Sequence, residues 1–496
     1  MRQRTRREFL STIGRGVAGA GLLAAAPWAR AAETAKQPNV LFLALDDLRT
    51  QLGCYGHEQM ISPNIDKLAA AGTRFDRTYC QQAVCGPSRA SLLTGLRPDS
   101  TRIYGLQTPV RKALPNVLSL PEHFKNHGYT TCSLGKIYHH RDDDRVGWST
   151  PPARASGAWK GRGYLDPASQ KAIAEQTDAR KKRRGVGPAF EAPDVADDDY
   201  ADGKNTNLAI ARLRKWARTG ERFFLALGYY KPHLPFNAPK RYWDLYPPEK
   251  VRLPAQTDWP EDVPKIALMN WGELRQYAGI PAKGRCPEAL TRELIRGYCA
   301  CVTYTDALIG RVLAELDRLG LRDNTVIVLW GDHGWKLGEY SAWCKHSNFE
   351  LDTHVPMIFA GPGVPKAVAT PALTEFVDIY PTLCELCGLD VPKHCEGTSA
   401  VGAMKNPKRP WKSAAFSQYP RGKVMGYSMR TARYRYTRWV ERKGGKVVAR
   451  ELYDHATSPV ATVNLAGRAD HAELVKKLDA QCAAGYRAAR PTPQAS

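Results

Sequence analysis

The stretch NVLFLALDD, residues 39–47, sets six consecutive apolar side chains in front of two adjacent carboxylates. An unbroken apolar run of this length reads as a strand buried on both faces; a half-exposed strand would alternate. Four more such runs follow: YTTCSL (129–134), RFFLALGYY (222–230), NTVIVLW (324–330) and VPMIFAG (355–361). Between them, ISPNIDKLAAAG, NTNLAIARLRKWART and YTDALIGRVLAELDRLG carry apolar residues at helical spacing. Strands alternating with helices predict an α/β fold on a largely parallel sheet.

The chemistry-bearing residues sit just past these runs. Asp46 and Asp47 follow the first, Lys136 and His139 the second, Lys231 and His233 the third, Asp332 and His333 the fourth. In an open α/β sheet, ligands bind beyond the carboxyl ends of the strands, so four segments converge on one rim. Adjacent carboxylates repel unless positive charge lies beside them, and a divalent cation would relieve Asp46 and Asp47. Asp332 adds a third carboxylate. Oxygen-rich sites favour Ca²⁺ or Mg²⁺, while His333 keeps a transition metal open. An Asp-Asp pair can also cap a helix, but GDHG at a second strand end favours the metal.

CGPSR, residues 85–89, lies within QQAVCGPSRASLLTGLRPDS. Pro87 suits the first turn of a helix. A helix N-terminus attracts anions, so Cys85 would face a sulfate- or phosphate-like group. Arg89 would lie nearby, its planar fork able to bind two oxygens. A cysteine taken alone is more often a core residue.

The 496 residues suit one large domain and a smaller one, with an apolar fraction of 43% that supports a sizeable core. The net charge of +23 is shared with the N-terminus, where six arginines face only Glu8 in the first 31 residues. The surplus fits an anionic partner: nucleic acid, an anionic membrane or a polyanionic glycan. Without a helix-turn-helix, zinc-finger or RNA-stacking signature, nucleic acid is not expected. Arg6-Arg7, a Gly/Ala-rich stretch and Ala29-Arg30-Ala31 resemble a bacterial twin-arginine (Tat) export signal over residues 1–31. No later stretch has the ~20 apolar residues that span a bilayer. The expectation is an exported, periplasmic or extracellular protein with the Tat machinery as a partner and no stable membrane anchor. Twelve cysteines in an exported chain invite disulfides, with connectivity unread. Cys384, Cys387, His394 and Cys395 hint at zinc, but their helical context favours packing. Residues 141–203 read as surface loops, with a solvated basic run at 181–184 and an acidic run at 197–199. After KNPKRPWK (405–412), two β-like stretches and HAELVKKLDAQCAAGYRAA predict a small antiparallel sheet with a helix. The resulting division is a signal at 1–31, a catalytic domain at 36–405 and a C-terminal α+β subdomain at 406–490.

C-x-P-S-R followed by ASLLTG resembles the signature of type I, formylglycine-dependent sulfatases. LDDLRTQLGCYG, LGKIYHH, GYYKPHLPF, GDHGWKLGEYSAWCKHSNFELDTHVPMIF, GYSMRTARYRYTRW and ELYDHATSPVATVNLA are similar, in order, to iduronate-2-sulfatase-like members. The resemblance runs from about residue 38 to the last helical pattern. It implies an alkaline-phosphatase-like sandwich, a large mixed, mostly parallel sheet flanked by helices, and a sulfuric ester hydrolase. It implies that a formylglycine-generating maturation enzyme oxidises Cys85 to formylglycine, whose hydrate attacks sulfur. Asp46, Asp47, Asp332 and His333 would hold Ca²⁺ with modified Cys85; many sulfatases have Asn in place of His333. Arg89 would orient the formylglycine, Lys136 and Lys345 would neutralise sulfate oxygens, His139 would hydrogen-bond the diol, and His233 would protonate the leaving alcohol. The implied substrate is a sulfated sugar or polysaccharide, with a 2-O-sulfated uronic acid favoured and Arg49 or Lys231 meeting its carboxylate. Two other readings stand beside this one: a phosphate- or phosphonate-ester hydrolase of the same superfamily, and a catalytically silent polyanion-binding protein in which Cys85 is never modified.

Overall fold

The computed structural model describes residues 37–491, apart from 142, 156–162, 178–184 and 457. The export signal expected at 1–31 and the basic run at 181–184 lie outside the described residues.

Seven strands form the main sheet: β1 (Asn39–Asp46), β2 (Gly72–Tyr79), β3 (Thr130–Gly135), β4 (Phe223–Pro232), β5 (Thr325–Gly331), β6 (His354–Ala360) and β7 (Val368–Glu375), in the order β7-β2-β6-β5-β1-β4-β3. β1 runs parallel to β4 and β5, β3 to β4, and β2 to β7. Only β6 is reversed, antiparallel to both β5 and β2. The carboxyl ends of the other six therefore share one rim.

The apolar run that opens the chain is explained by its two faces. All eight residues of β1 are buried. Leu41, Leu43 and Leu45 face a layer shared with helices α1 (Pro63–Ala70), α3 (Ala201–Thr219) and α4 (Glu288–Arg318). Val40, Phe42 and Ala44 face the layer of α2 (Cys85–Thr94) and α5 (Ile379–Leu386). Burying each large apolar side chain is worth about 1.5–3 kcal/mol, so neither face of β1 can turn to water. Cys384 and Cys387 pack within the second layer, and the His394 ring lies 3.0 Å from the Thr94 carbonyl oxygen.

A second, antiparallel sheet runs β8 (Ala415–Arg421), β9 (Val424–Arg430), β10 (Tyr434–Glu441), β11 (Val447–Asp454). Helix α6 (Ala472–Ala488) covers it, with Leu478 and Cys482 against Met429, Tyr436 and Leu452. Buried polar contacts join this sheet to the first. Glu350, just before β6, accepts from Arg430 and Arg435, and Glu375, which ends β7, accepts from the Phe416 N–H of β8 at 2.8 Å as well as from Arg97 and Lys412.

Three strands of these two sheets escape the sequence reading. β2 (GTRFDRTY) carries charges, β7 (VATPALTE) and β8 (AFSQYPR) each carry a proline, and all three are partly exposed. The described residues of 141–200 hold the short helix Pro167–Gln176 and the two-residue strand Phe190–Glu191 among turns, and α3 begins at Ala201. The acidic run at 197–199 is a 3₁₀ turn whose Asp198 pairs with Arg311 of α4. The expected disulfides are not formed: all twelve cysteines are free thiols, nine of them buried, spread singly or in small groups through the apolar layers. No helix among the described residues is long and apolar enough to cross a membrane.

Candidate active site

β1 ends at Asp46, and the chain turns away through Asp47 at φ 64°. This left-handed conformation is one that Asp tolerates better than most residues. It lets the Asp47 N–H donate to Asp332 Oδ1 at 2.9 Å, tying the ends of β1 and β5 together. Asp46, Asp47 and Asp332 are fully buried and bring one carboxylate oxygen each within 4.8 Å of one another. Cys85 opens α2 with Val84 extended before it, and its Sγ lies 3.2 Å from His333 Nε2. The Gly334 carbonyl, 3.0 Å from His333 Nδ1, accepts a hydrogen bond from that nitrogen, which leaves Nε2 toward the carboxylates. Nε2 is 3.3 Å from Asp47 Oδ1 and 3.6 Å from Asp332 Oδ1.

Arg89, one turn along α2, is a buried clamp. It donates from Nε to Asp332 Oδ2 at 2.8 Å and from one terminal nitrogen to Asp46 Oδ1 at 3.1 Å. The other terminal nitrogen donates to the Lys136 and Ile137 carbonyls. Lys136 Nζ donates to Asp46 Oδ2. Lys136 is placed where β3 leaves its parallel pairing with β4 beside Gly228. Its N–H donates to the Gly228 carbonyl at 2.9 Å, and a Cβ on Gly228 would fall 2.0 Å from the Lys136 carbonyl oxygen. Lys345, from the loop between β5 and β6, reaches both oxygens of Asp47 at 3.1 Å.

These cations neutralise the carboxylates unevenly. Burial opposes ionisation of Asp46, but Lys136, His233 and Arg89 hold its carboxyl well below the usual range. Asp47 is pushed up to about 7 by burial, with Asp46 and Glu273 adding to the effect and Lys345 and His333 opposing it. The chain's own charges leave room for more positive charge at Asp47. Three carboxylates, an imidazole and the Cys85 position fit a divalent cation. Burial, with Asp46 and Asp332, also pushes the Cys85 thiol far up, so the unmodified side chain stays protonated and is a poor nucleophile.

His233 and His139 also stand at this rim, His233 with one ring nitrogen within 4.8 Å of Asp46 and Cys85. His233 Nδ1 lies 2.7 Å from the Leu234 carbonyl, and Nε2 faces Glu273 Oε1 at 3.1 Å and Asp47 Oδ2 at 3.8 Å. His139 has a buried Nδ1 with no hydrogen-bond partner, and burial followed by Lys136 pushes its pKa down to about 3.

Glu273 is the group that sequence reasoning missed. It sits among short 3₁₀ turns between β4 and α4, outside every motif, and touches Lys345 Nζ at 2.9 Å as well as His233. Beside it opens a cavity of about 700 Å³ lined by Trp271, His346, Tyr419 and Arg421 among others. Arg49 and Lys231, offered by the sequence for a substrate carboxylate, do not line that cavity. Arg49 donates to Glu339 at 2.8 Å and to the Trp335 carbonyl at 3.1 Å, and faces a separate hollow of about 220 Å³. Lys231 is buried and donates to the His233 and Pro235 carbonyls, bracing the loop that carries His233.

The family model described as Sulfatase matches residues 38–389, and one described as N-sulphoglucosamine sulphohydrolase, C-terminal, matches residues 338–487. The chain is 35% identical over 483 residues to iduronate 2-sulfatase from Homo sapiens, covering 81% of this chain and 85% of the relative. It is 31% identical over 458 residues to a sulfatase from Formosa agariphila, covering 90% and 86%. A solved phosphonate monoester hydrolase of Agrobacterium radiobacter superposes with a TM-score of 0.74 at 21% identity, covering 91% of this chain and 95% of that one, a likeness of fold.

Proposed function

This chain belongs to the sulfatase family and is a sulfuric ester hydrolase, and from that premise we propose that it removes sulfate from a sulfated saccharide through a formylglycine made from Cys85. The observation that carries the reading is the convergence of Cys85, three carboxylates, His333 and three cations at the carboxyl rim of one sheet.

A Ca²⁺ held by Asp46, Asp47, Asp332, His333 and modified Cys85 would supply positive charge against the sulfate oxygens. Formylglycine would supply the nucleophile that the protonated thiol cannot. The chain's own residues do the rest. A sulfate ester is an anion and repels nucleophiles, so Lys136 and Lys345 lower the barrier by meeting its oxygens. His233 Nε2 gives a proton to the departing alcohol. The unpartnered His139 Nδ1 takes a hydrogen bond from the nucleophile's hydroxyl. Arg89 holds Asp46 and Asp332 in register.

The likeness to iduronate 2-sulfatase supports a 2-O-sulfated uronic acid as substrate. We assign its carboxylate to Arg421, which donates to the His346 carbonyl at 2.7 Å but, unlike Arg49 and Lys231, lines the cavity beside Glu273. Arg421 comes from the proposed C-terminal subdomain (406–490), which would then complete the site of the catalytic domain (36–405). The basic surplus supports a polyanionic saccharide as substrate, and the twin-arginine pattern at the N-terminus supports Tat export to the periplasm or beyond, with maturation by a formylglycine-generating enzyme beforehand.

Mass spectrometry of the alkylated tryptic peptide TYCQQAVCGPSR (78–89), joined to rate comparison on aryl sulfate, phosphate and phosphonate esters, tests the reading. An aldehyde at Cys85, alkylated Cys80 and preference for the sulfate ester support it. Faster phosphonate or phosphate cleavage would move the assignment to an ester hydrolase of that class. Full alkylation of both cysteines in protein from its native host, with no sulfate release, would leave a polyanion-binding protein.

A further inference from the structure

Glu273 stands where the reaction needs an anion of the substrate. Its Oε1 is 3.1 Å from His233 Nε2, the atom that must meet the leaving oxygen. Its Oε2 is 2.9 Å from Lys345 Nζ, the ammonium that must meet a sulfate oxygen. No substrate can use both groups while this carboxylate holds them.

The backbone under Glu273 is fixed. Trp271 is buried with φ 41°, and the Arg275 guanidinium lies 3.3 Å from its ring centroid. Arg275 also donates to the Asn270, Pro281 and Gly284 carbonyls, which straps the turn. The Glu273 side chain retains about a fifth of its surface exposed and borders the 700 Å³ cavity, so rotation about its own bonds suffices to move it aside.

We propose that Glu273 is a displaceable counter-anion that sets the affinity of the site for free sulfate. In the empty site it holds Lys345 and His233 in position. On binding, the ester exchanges for it. After hydrolysis it competes with the departing sulfate for the same two groups.

Charge gives this exchange a direction. Asp46, Asp47, Asp332 and Glu273 face the permanent cations Arg89, Lys136 and Lys345. A bound divalent metal leaves this set with one net positive charge; without Glu273 it would have two. The substrate's sulfate ester carries one negative charge and inorganic sulfate two, so each unit of site charge acts on the product about twice as strongly. Glu273 therefore weakens substrate binding moderately and product binding more, which protects turnover from product trapping.

This inference rests on the sulfatase reading, and the test separates the two. Wild type, Glu273→Gln and Glu273→Ala, all metal-loaded, are compared for KM on an aryl sulfate, for inhibition by inorganic sulfate, and for direct calorimetric binding of inorganic sulfate. The proposal expects both variants to bind sulfate more tightly, on the order of tenfold, with KM falling by less. A residue that merely supports the site would show the opposite sign, because losing it would loosen Lys345 and His233. Unchanged or weaker sulfate binding in Glu273→Gln overturns the proposal. Absence of sulfate release by wild type counts against the sulfatase reading instead, and calorimetry with inorganic sulfate and phosphate still decides the role of Glu273.

Discussion

Arg89 Nε donates to Asp332 Oδ2 at 2.8 Å, with neither side chain exposed to solvent. This contact ties α2, the helix that Cys85 opens, to the end of β5, and the same guanidinium reaches Asp46 at the end of β1. Removing it would leave two buried carboxylates short of a partner, a change that costs about 3–5 kcal/mol in comparable buried pairs. Arg89→Ala is expected to lose about that much in urea denaturation and to lose activity. Arg89→Lys should not restore either, since one ammonium cannot reproduce four directed hydrogen bonds.

The carboxylate cluster predicts dependence on a divalent ion. Dialysis against a chelator should abolish sulfate release and lower the melting temperature, and Ca²⁺ should restore both. At a hundredfold excess over Kd the ion would add about 2.7 kcal/mol of stability. Asp47→Asn should blunt the thermal response to Ca²⁺.

Position 228, where β4 passes the residue that follows β3, allows no side chain. A methyl group on Gly228 would meet the Lys136 carbonyl oxygen at 2.0 Å. Gly228→Ala should push Lys136 off Asp46 and cost about 1–3 kcal/mol in stability. The expected fall in kcat/KM is on the order of a hundredfold, larger than the stability change alone explains.

His233 can be tested through the leaving group. If Nε2 donates the proton, His233→Ala should slow sugar sulfates by about 10²–10⁴-fold. An aryl sulfate whose phenol departs as the anion should lose much less. Equal losses on both substrates would point to a positioning role for the ring.

The join between the two sheets should be sensitive to acid. Burial opposes ionisation of Glu375, but Arg97 and Lys412 hold its pKa near 2, against 4.5 for the free side chain. A depressed carboxyl pKa stabilises the fold above about pH 4.5, and that contribution is lost as the pH falls toward 2. The amount at stake is on the order of 3 kcal/mol. Glu375→Gln should be less stable at neutral pH and show a shallower decline from pH 5 to 3, measured by chemical denaturation at each pH.

The sequence by itself determined the architecture of the centre and most of the rim. Unbroken apolar runs require two covered faces, which means helices on both sides of a parallel sheet, and the groups past each strand then share one edge. Asp46, Asp47, Asp332 and His333 follow from that rule, and CGPSR from its resemblance. Tertiary structure decided what the local pattern does not encode. Strands β2, β7 and β8 are partly exposed and charged or proline-bearing, so their place depends on neighbours far along the chain. Arg49 and Lys231 looked available until Glu339 and three backbone carbonyls took them up. Glu273 carries no local signal, because it reaches the site on an irregular turn held by the Trp271–Arg275 stack. Apolar periodicity reports how deeply a segment is buried; which charge meets which across scores of residues depends on loop closure, and only the folded chain fixes that.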